Sequence, residues 1–336
     1  VIVASTRSAA PRRTFALRSG AVAIGAVALL ALGACGSADK TADSASSAIT
    51  AAASGAESMA SAATSAAGSM ASEATSAAGS MASGATSAAG AAMDQAAIDA
   101  AKKTLIDPSK LTVCTTLPFE PFESKKGGEV VGFDIDLVDF ISAELGVQTS
   151  IIDTPFEGIK SGEANNSGKC DLSAAGMSIT AERQKVMTFS DPYFSANFSL
   201  VVPTASTVTK IEDLKGKKVG GQASTTGLDW LNENKDKYGY EVVEYTGFDL
   251  QSQAILTGQV DAVFNDVPVL KKLVDDNAST VKIVQTVDTG DQYGFGLKLG
   301  NEALATVVNG VLSDIKADGR YNESYKKWFG TDAPKN

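Results

Sequence analysis

The chain contains no histidine. That absence removes the usual general base, the Ser-His and Cys-His nucleophile pairs and the commonest zinc ligand. Chemistry must come from three cysteines, 39 acids and 29 bases. No run of carboxylates has calcium-loop spacing, and neither a metal nor a cofactor is expected. The cysteines stand in different surroundings. Cys35 follows Arg7, Arg12, Arg13 and Arg18, then an apolar run from Ala21 to Leu32, then small residues. This is the layout of an export signal, and the apolar run is too short and Ala-rich for a membrane span. With Cys35 at the processing site, Cys114 and Cys170 remain for an oxidising compartment. Both a disulfide and two buried thiols fit them, because pairing depends on geometry.

The elements that position these groups begin late in the chain. Residues 1–34 hold four arginines and no acid, so the remainder carries 25 bases against 39 acids, a formal charge of −14. An acidic surface repels phosphate backbones and argues against nucleic acid. Between residues 36 and 100 stand three near-copies of an eleven-residue unit, starting at Ser58, Ser69 and Ser80. Lacking aromatics, this stretch cannot build a core and reads as a spacer. It would reach ~45 Å as a coil and ~100 Å as a helix.

From about Thr104 strand-like and helical runs alternate. Strands are expected at Leu111–Thr115, Gln148–Ile152, Leu172–Gly176, Lys218–Gly220, Glu241–Tyr245 and Ala262–Asn265. Helices are expected at Asp134–Leu145, from Ala181, and at Thr226–Asn234, Leu250–Leu256, Pro268–Asp275, Asn301–Asp318 and Tyr321–Trp328. Asp134 and Asp136 open their helix, where carboxylates favour the dipole. Such βαβ alternation predicts a mostly parallel sheet, and an extended Phe198–Val202 divides it into two α/β lobes. Ligands bind at the carboxyl ends of such strands, so two lobes facing each other make a cleft.

Six short motifs stand in order between Leu111 and Phe329: Pro121-Phe122-Glu123, Gly132 to Leu137 (GFDIDL), Ser178 to Arg183 (SITAER), Phe189 to Tyr193 (FSDPY), Leu214 to Lys217 (LKGK) and Trp328-Phe329-Gly330. Together they resemble the extracytoplasmic receptors of polar amino-acid ABC importers. The resemblance implies a two-lobed type II periplasmic-binding-protein fold with two crossover strands that closes around an amino acid. It also implies a monomer, a permease partner and no catalysis. The run Leu32-Gly33-Ala34-Cys35 is similar to a lipobox, which implies lipid attachment at Cys35 and a place on the outer face of the cell membrane. The domains are then 1–34 (signal), 35–103 (anchor and spacer), 104–200 with 290–336 (first lobe) and 201–289 (second lobe).

Carried over residue by residue, the resemblance assigns Arg183 to the ligand α-carboxylate and Asp266 to its α-ammonium. A guanidinium fork suits a carboxylate, and the predicted helix start at Arg183 suits an anion. Asp266 also reads as a helix cap before Pro268. Thr225 and Thr226 match second-lobe carboxylate contacts. Gly176 and Ser178 match backbone contacts, Phe119 and Phe156 match an aromatic wall, and Gln222 matches a side-chain contact. Thr116 stands where receptors for basic amino acids often carry an aspartate, which favours an uncharged polar ligand. Cyclohexadienyl dehydratases resemble the same receptors. An enzyme of that kind would need a positioned acid, for which Glu120, Glu157 and Asp266 are the candidates.

Overall fold

The computed structural model describes residues 93–334. Cys35, the export signal and the three repeats therefore lie outside the described residues. Two five-stranded sheets carry the chain. In the first, β1 (Lys110–Thr115) lies parallel to β4 (Gln148–Asp153) and to the short β5 (Leu172–Ser173). Two further short strands, β6 (Thr188–Phe189) and β12 (Gly296–Leu297), complete it in the order β4-β1-β5-β12-β6. A hairpin of β2 (Ser124–Lys126) and β3 (Glu129–Val131) stands beside it.

In the second sheet β8 (Lys218–Gln222) is parallel to both β9 (Glu241–Tyr245) and β10 (Ala262–Asp266). Its order is β11-β7-β10-β8-β9. The long strands β7 (Phe194–Pro203) and β11 (Val281–Tyr293) run antiparallel to each other. Phe194 and Tyr293 at one end of this ribbon are buried in the first sheet's core. Val202 and Val281 at the other end are buried in the second's. These are the two crossover strands of the mixed α/β, two-lobed fold.

The helices cover the sheets where the apolar periodicity placed them. The first lobe carries α2 (Phe133–Leu145), the short α3 (Phe156–Lys160) and α4 (Glu163–Asn166). The second carries α5 (Thr226–Tyr238), α6 (Phe248–Leu256) and α7 (Val267–Asp276). The chain returns through α8 (Glu302–Asp318) and α9 (Arg320–Phe329). One helix lies before the composition break at Thr104. It is α1 (Gln95–Lys102), capped by the Asp94 carboxylate, which accepts from the Ala96 amide. Ile98 and Ala101 are buried in the core beside α8 residues, so the packed chain starts within the stretch expected to be spacer. Alanine-rich composition hid this element, because alanine forms helix without supplying much apolar area.

Two other expectations need correction. The strand expected to reach Gly176 ends at Ser173, because Gly176 adopts φ 51° and turns the chain. No helix begins at Ala181; only the three-residue 3-10 turn Arg183–Lys185 forms. The Thr180 hydroxyl accepts from the Arg183 amide, and Met187 is already buried before β6.

The motifs converge on one aromatic core. Phe122 is fully buried and packs against Phe133, Phe194, Tyr293 and Phe329, with centroids 5.0–6.3 Å away. Behind it the start of α2 passes at backbone distance: the Asp134 amide donates to the Phe122 carbonyl at 3.1 Å. At Gly132 a Cβ would stand 1.8 Å from that carbonyl oxygen, and φ is 156°. Only glycine permits this crossing.

Cys114 on β1 is joined to Cys170 by a disulfide, with Cα atoms 5.7 Å apart across a sequence separation of 56. Both sulfurs lie in a small core with Phe156, Ala175 and Met177.

Two outcomes are expected. Gly132→Ala should destabilise the fold by at least about 3 kcal/mol, read as a shifted denaturant midpoint. Reducing the disulfide should cost about 4 kcal/mol through loop entropy in the unfolded chain, read as a lower Tm with reductant.

Candidate functional site

Four parallel strand ends meet at one cavity. The loop after β1 supplies Thr116, Phe119 and Glu123; the loop after β5 supplies Ala175, Gly176 and Ser178. From the second lobe, Gln222 ends β8, Thr225 and Thr226 begin α5, and Asp266 ends β10. Phe156 and Arg183 complete the wall. All nine residues expected to contact a ligand therefore line one space between the sheets.

Arg183 is 7% exposed. It donates to the Ser178 carbonyl at 2.8 Å and to the Ser224 carbonyl, on the second lobe, at 3.2 Å. Its guanidinium carbon lies 5.5 Å from the Phe156 ring centroid. Burial pulls its pKa down, and Asp229, Asp291 and Asp266 oppose that shift. Described residues take two of its five donors, so it has capacity for an incoming anion. Placement comes from these carbonyl contacts, not from a helix start.

Asp266 is 6% exposed and stands at the N-cap position of α7, but its side chain makes no capping hydrogen bond there. One carboxylate oxygen has no hydrogen-bond partner among the described residues. Burial pushes its pKa up to about 7, moderated by the neighbouring Tyr293 hydroxyl and by Arg183. Asp266 thus holds the expected N-cap position without a side-chain cap bond, whereas the Thr225 hydroxyl does cap α5, accepting from the Leu228 amide at 3.1 Å. Thr226 reaches across the cleft, its hydroxyl 3.2 Å from that of Ser178. Ser224, in the left-handed region at φ 69°, hydrogen-bonds Glu157 of the first lobe through its own hydroxyl. Lys272 and Glu120 bridge the lobes at 3.4 Å. Glu120 and Glu157 are thus engaged by groups of the second lobe and do not line the cavity.

Gln222 is buried, and its carbonyl oxygen accepts from Asn265 at 3.1 Å. Asn265 is fixed in turn by Gln251 at 2.7 Å. This chain leaves the Gln222 amino group to act as a donor toward the cavity. At Gly176 a Cβ would stand 2.7 Å from the Phe119 ring. The glycine serves both its dihedral and the ring beside it.

Glu123 was not singled out from the sequence. It is fully buried, lines the cavity, and neither carboxylate oxygen has a partner among the described residues. Burial, and then Asp134, push its pKa well above the usual carboxylate value. Its one signal in the sequence was an acid placed directly after the aromatic Phe122.

Asp134 and Asp136 stand in the first turn of α2 but do more than meet its dipole. Asp134 is fully buried, accepting from the Gly176 amide at 3.0 Å and the Tyr193 hydroxyl at 2.8 Å. Burial raises its pKa to about 7 against these bonds. Asp136 accepts from Ser324, Lys327 and the Trp328 indole at 2.8–2.9 Å, which holds α9 in place.

A cavity at facing strand ends, closed by two crossover strands, is an arrangement for holding a small solute. Residues 111–331 match the family model of bacterial extracellular solute-binding proteins, family 3. The chain belongs to that family. The arginine-binding periplasmic protein of Mannheimia haemolytica is 30% identical over 217 residues, 63% of this chain and 87% of that one. Among solved structures, an ancestral arginine-binding protein bound to arginine is 40% identical with a TM-score of 0.63, covering 66% of this chain and 99% of that one. An ancestral amino-acid-binding protein described as a precursor of cyclohexadienyl dehydratase is 32% identical with a TM-score of 0.62, covering 69% and 99%. Family membership makes this protein an extracytoplasmic solute receptor.

Asp134 and Asp266 retain protons to pH about 7 in the fold, whereas unfolded carboxylates lose them near pH about 4. Their stabilising contribution is complete in acid and is lost as pH rises through about 7. The ligand-free protein should therefore show a falling Tm over that window, and Asp134→Asn should flatten the slope.

Proposed function

We propose that the cavity takes an amino acid with a cationic side chain, arginine foremost, for delivery to an ABC importer. The observation that carries this reading is the presence of Arg183, Asp266 and Glu123 around one buried space. The chain is the substrate receptor of a polar amino-acid importer. Arg183 takes the α-carboxylate together with the amides and hydroxyl at the start of α5. Asp266 takes the α-ammonium with its unpartnered oxygen. Phe119 and Phe156 flank the aliphatic stem, with Gly176 and Ser178 contributing backbone groups. Glu123 receives the side-chain cation. Thr116 brings no carboxylate to this space, but Glu123 does, and the names of the arginine-binding relatives point the same way.

A second reading, an amide side chain such as that of glutamine, is favoured by the donor that Gln222 presents. Calorimetric titration separates the two. Arginine should bind more tightly than glutamine, and Arg183→Ala should cost about 2–4 kcal/mol, roughly 30- to 1000-fold. Tighter binding of glutamine would establish the second reading. No binding by any amino acid would overturn both.

No turnover accompanies binding in this proposal. Of the three acids expected for a dehydratase, Glu120 and Glu157 stand outside the cavity, and Asp266 is committed in this proposal to the ammonium of the ligand. Prephenate incubated with the protein should remain unchanged, and its conversion would establish an enzyme.

We further propose a lipid-anchored monomer, with Cys35 as the acylated residue after the Leu32-Gly33-Ala34 run. Cells producing the full chain should incorporate labelled fatty acid into it, and Cys35→Ala should release the protein from the membrane. Retention of the unlabelled variant on membranes would refute this anchor.

A further inference from the structure

Glu123 is held where its charge has no counterpart. Its backbone is locked to Phe119, whose amide donates to the Glu123 carbonyl at 2.8 Å while the Glu123 amide donates back at 3.2 Å. Phe119 and Phe122 precede it in sequence, and both are buried. The titratable groups that face it are Asp134 from α2, Tyr193 just before β7 and Tyr293 from β11. None of these is basic. The Arg183 guanidinium acts instead on Asp266.

Burying a carboxylate without a partner is so unfavourable that the group takes up a proton instead. A cation placed against the same group reverses the balance, because the ion pair favours the charged form. We infer that capture of a cationic amino acid is coupled to deprotonation of Glu123, which is a neutral acid in the ligand-free cavity and a carboxylate against the bound side-chain cation. This rests on the cationic-ligand reading above. The reaction balances simply: the Glu123 O–H bond breaks, its proton leaves to solvent buffer, and the ligand's guanidinium keeps all of its own protons.

Asp266 contributes separately. Burial holds part of its population protonated near pH about 7, so any amino acid that brings an α-ammonium releases a fraction of a proton there. The difference between a charged ligand and a neutral one of the same shape therefore isolates Glu123. Citrulline is such a ligand for arginine, with a urea in place of the guanidinium.

The test is calorimetry on the full chain near pH about 7, with arginine and with citrulline, in two buffers of different ionisation enthalpy. Arginine should release about one proton more than citrulline. Its affinity should also rise with pH, approaching about tenfold per unit more steeply than that of citrulline below the Glu123 pKa. In Glu123→Gln the extra proton and the extra slope should both vanish. The wild-type comparison stands even if that variant fails to fold. Arginine binding with the proton count of citrulline, and with a parallel pH profile, would overturn the coupling while leaving the receptor reading intact. Failure of every amino acid to bind would overturn the reading and the coupling together.

Discussion

A single dry carboxylate ties the binding loop to the hinge. Asp134 has no solvent contact, and its partners are one backbone amide and one phenol. Through the Gly176 amide it fixes the turn from which Gly176 and Ser178 face the cavity. Through Tyr193 it fixes the chain just before the first crossover strand. Low local dielectric strengthens these bonds and makes the loss of either costly. Three motifs far apart in sequence are thereby one structural unit. The acid of GFDIDL meets the tyrosine of FSDPY, and two residues on, Asp136 holds the tryptophan near the C-terminal end.

The same economy shapes the cavity's electrostatics. Two buried acids, Glu123 and Asp266, line the cavity together with one buried guanidinium, Arg183. In the proposed complex the zwitterionic backbone of the ligand cancels against Arg183 and Asp266. What remains is one negative potential site, which a neutral side chain leaves as an acid and a cationic one neutralises. In that proposal selectivity rests on which ligands allow every buried group a partner.

Much of this was legible in the sequence. Strand period and turn residues placed β9 at Glu241–Tyr245, and motif order pointed to nine residues that come together at the strand ends. These are local or family-patterned signals. What escaped depends on long-range burial. Glu123 gains its significance only because the chain doubles back on Phe119 and seals it from water. Arg183 was expected on a helix, but the short distance from Thr180 to β6 leaves room for one 3-10 turn. Asp134 looked like an ordinary first-turn acid until Tyr193 and Gly176 were brought to it by tertiary packing. In α1 the composition was misleading in the other direction, since Ile98 supplies most of the apolar contact of an alanine-rich helix.

That helix has a mechanical consequence. It packs against α8 and α2, with its buried residues in the core of the first lobe. The described chain before β1 is therefore fastened to that lobe. Among the described residues the backbone passes to the second lobe and back through the ribbon of β7 and β11. A relative turn of the two lobes must bend that ribbon and part the contacts across the cleft, while α1 travels with the first lobe.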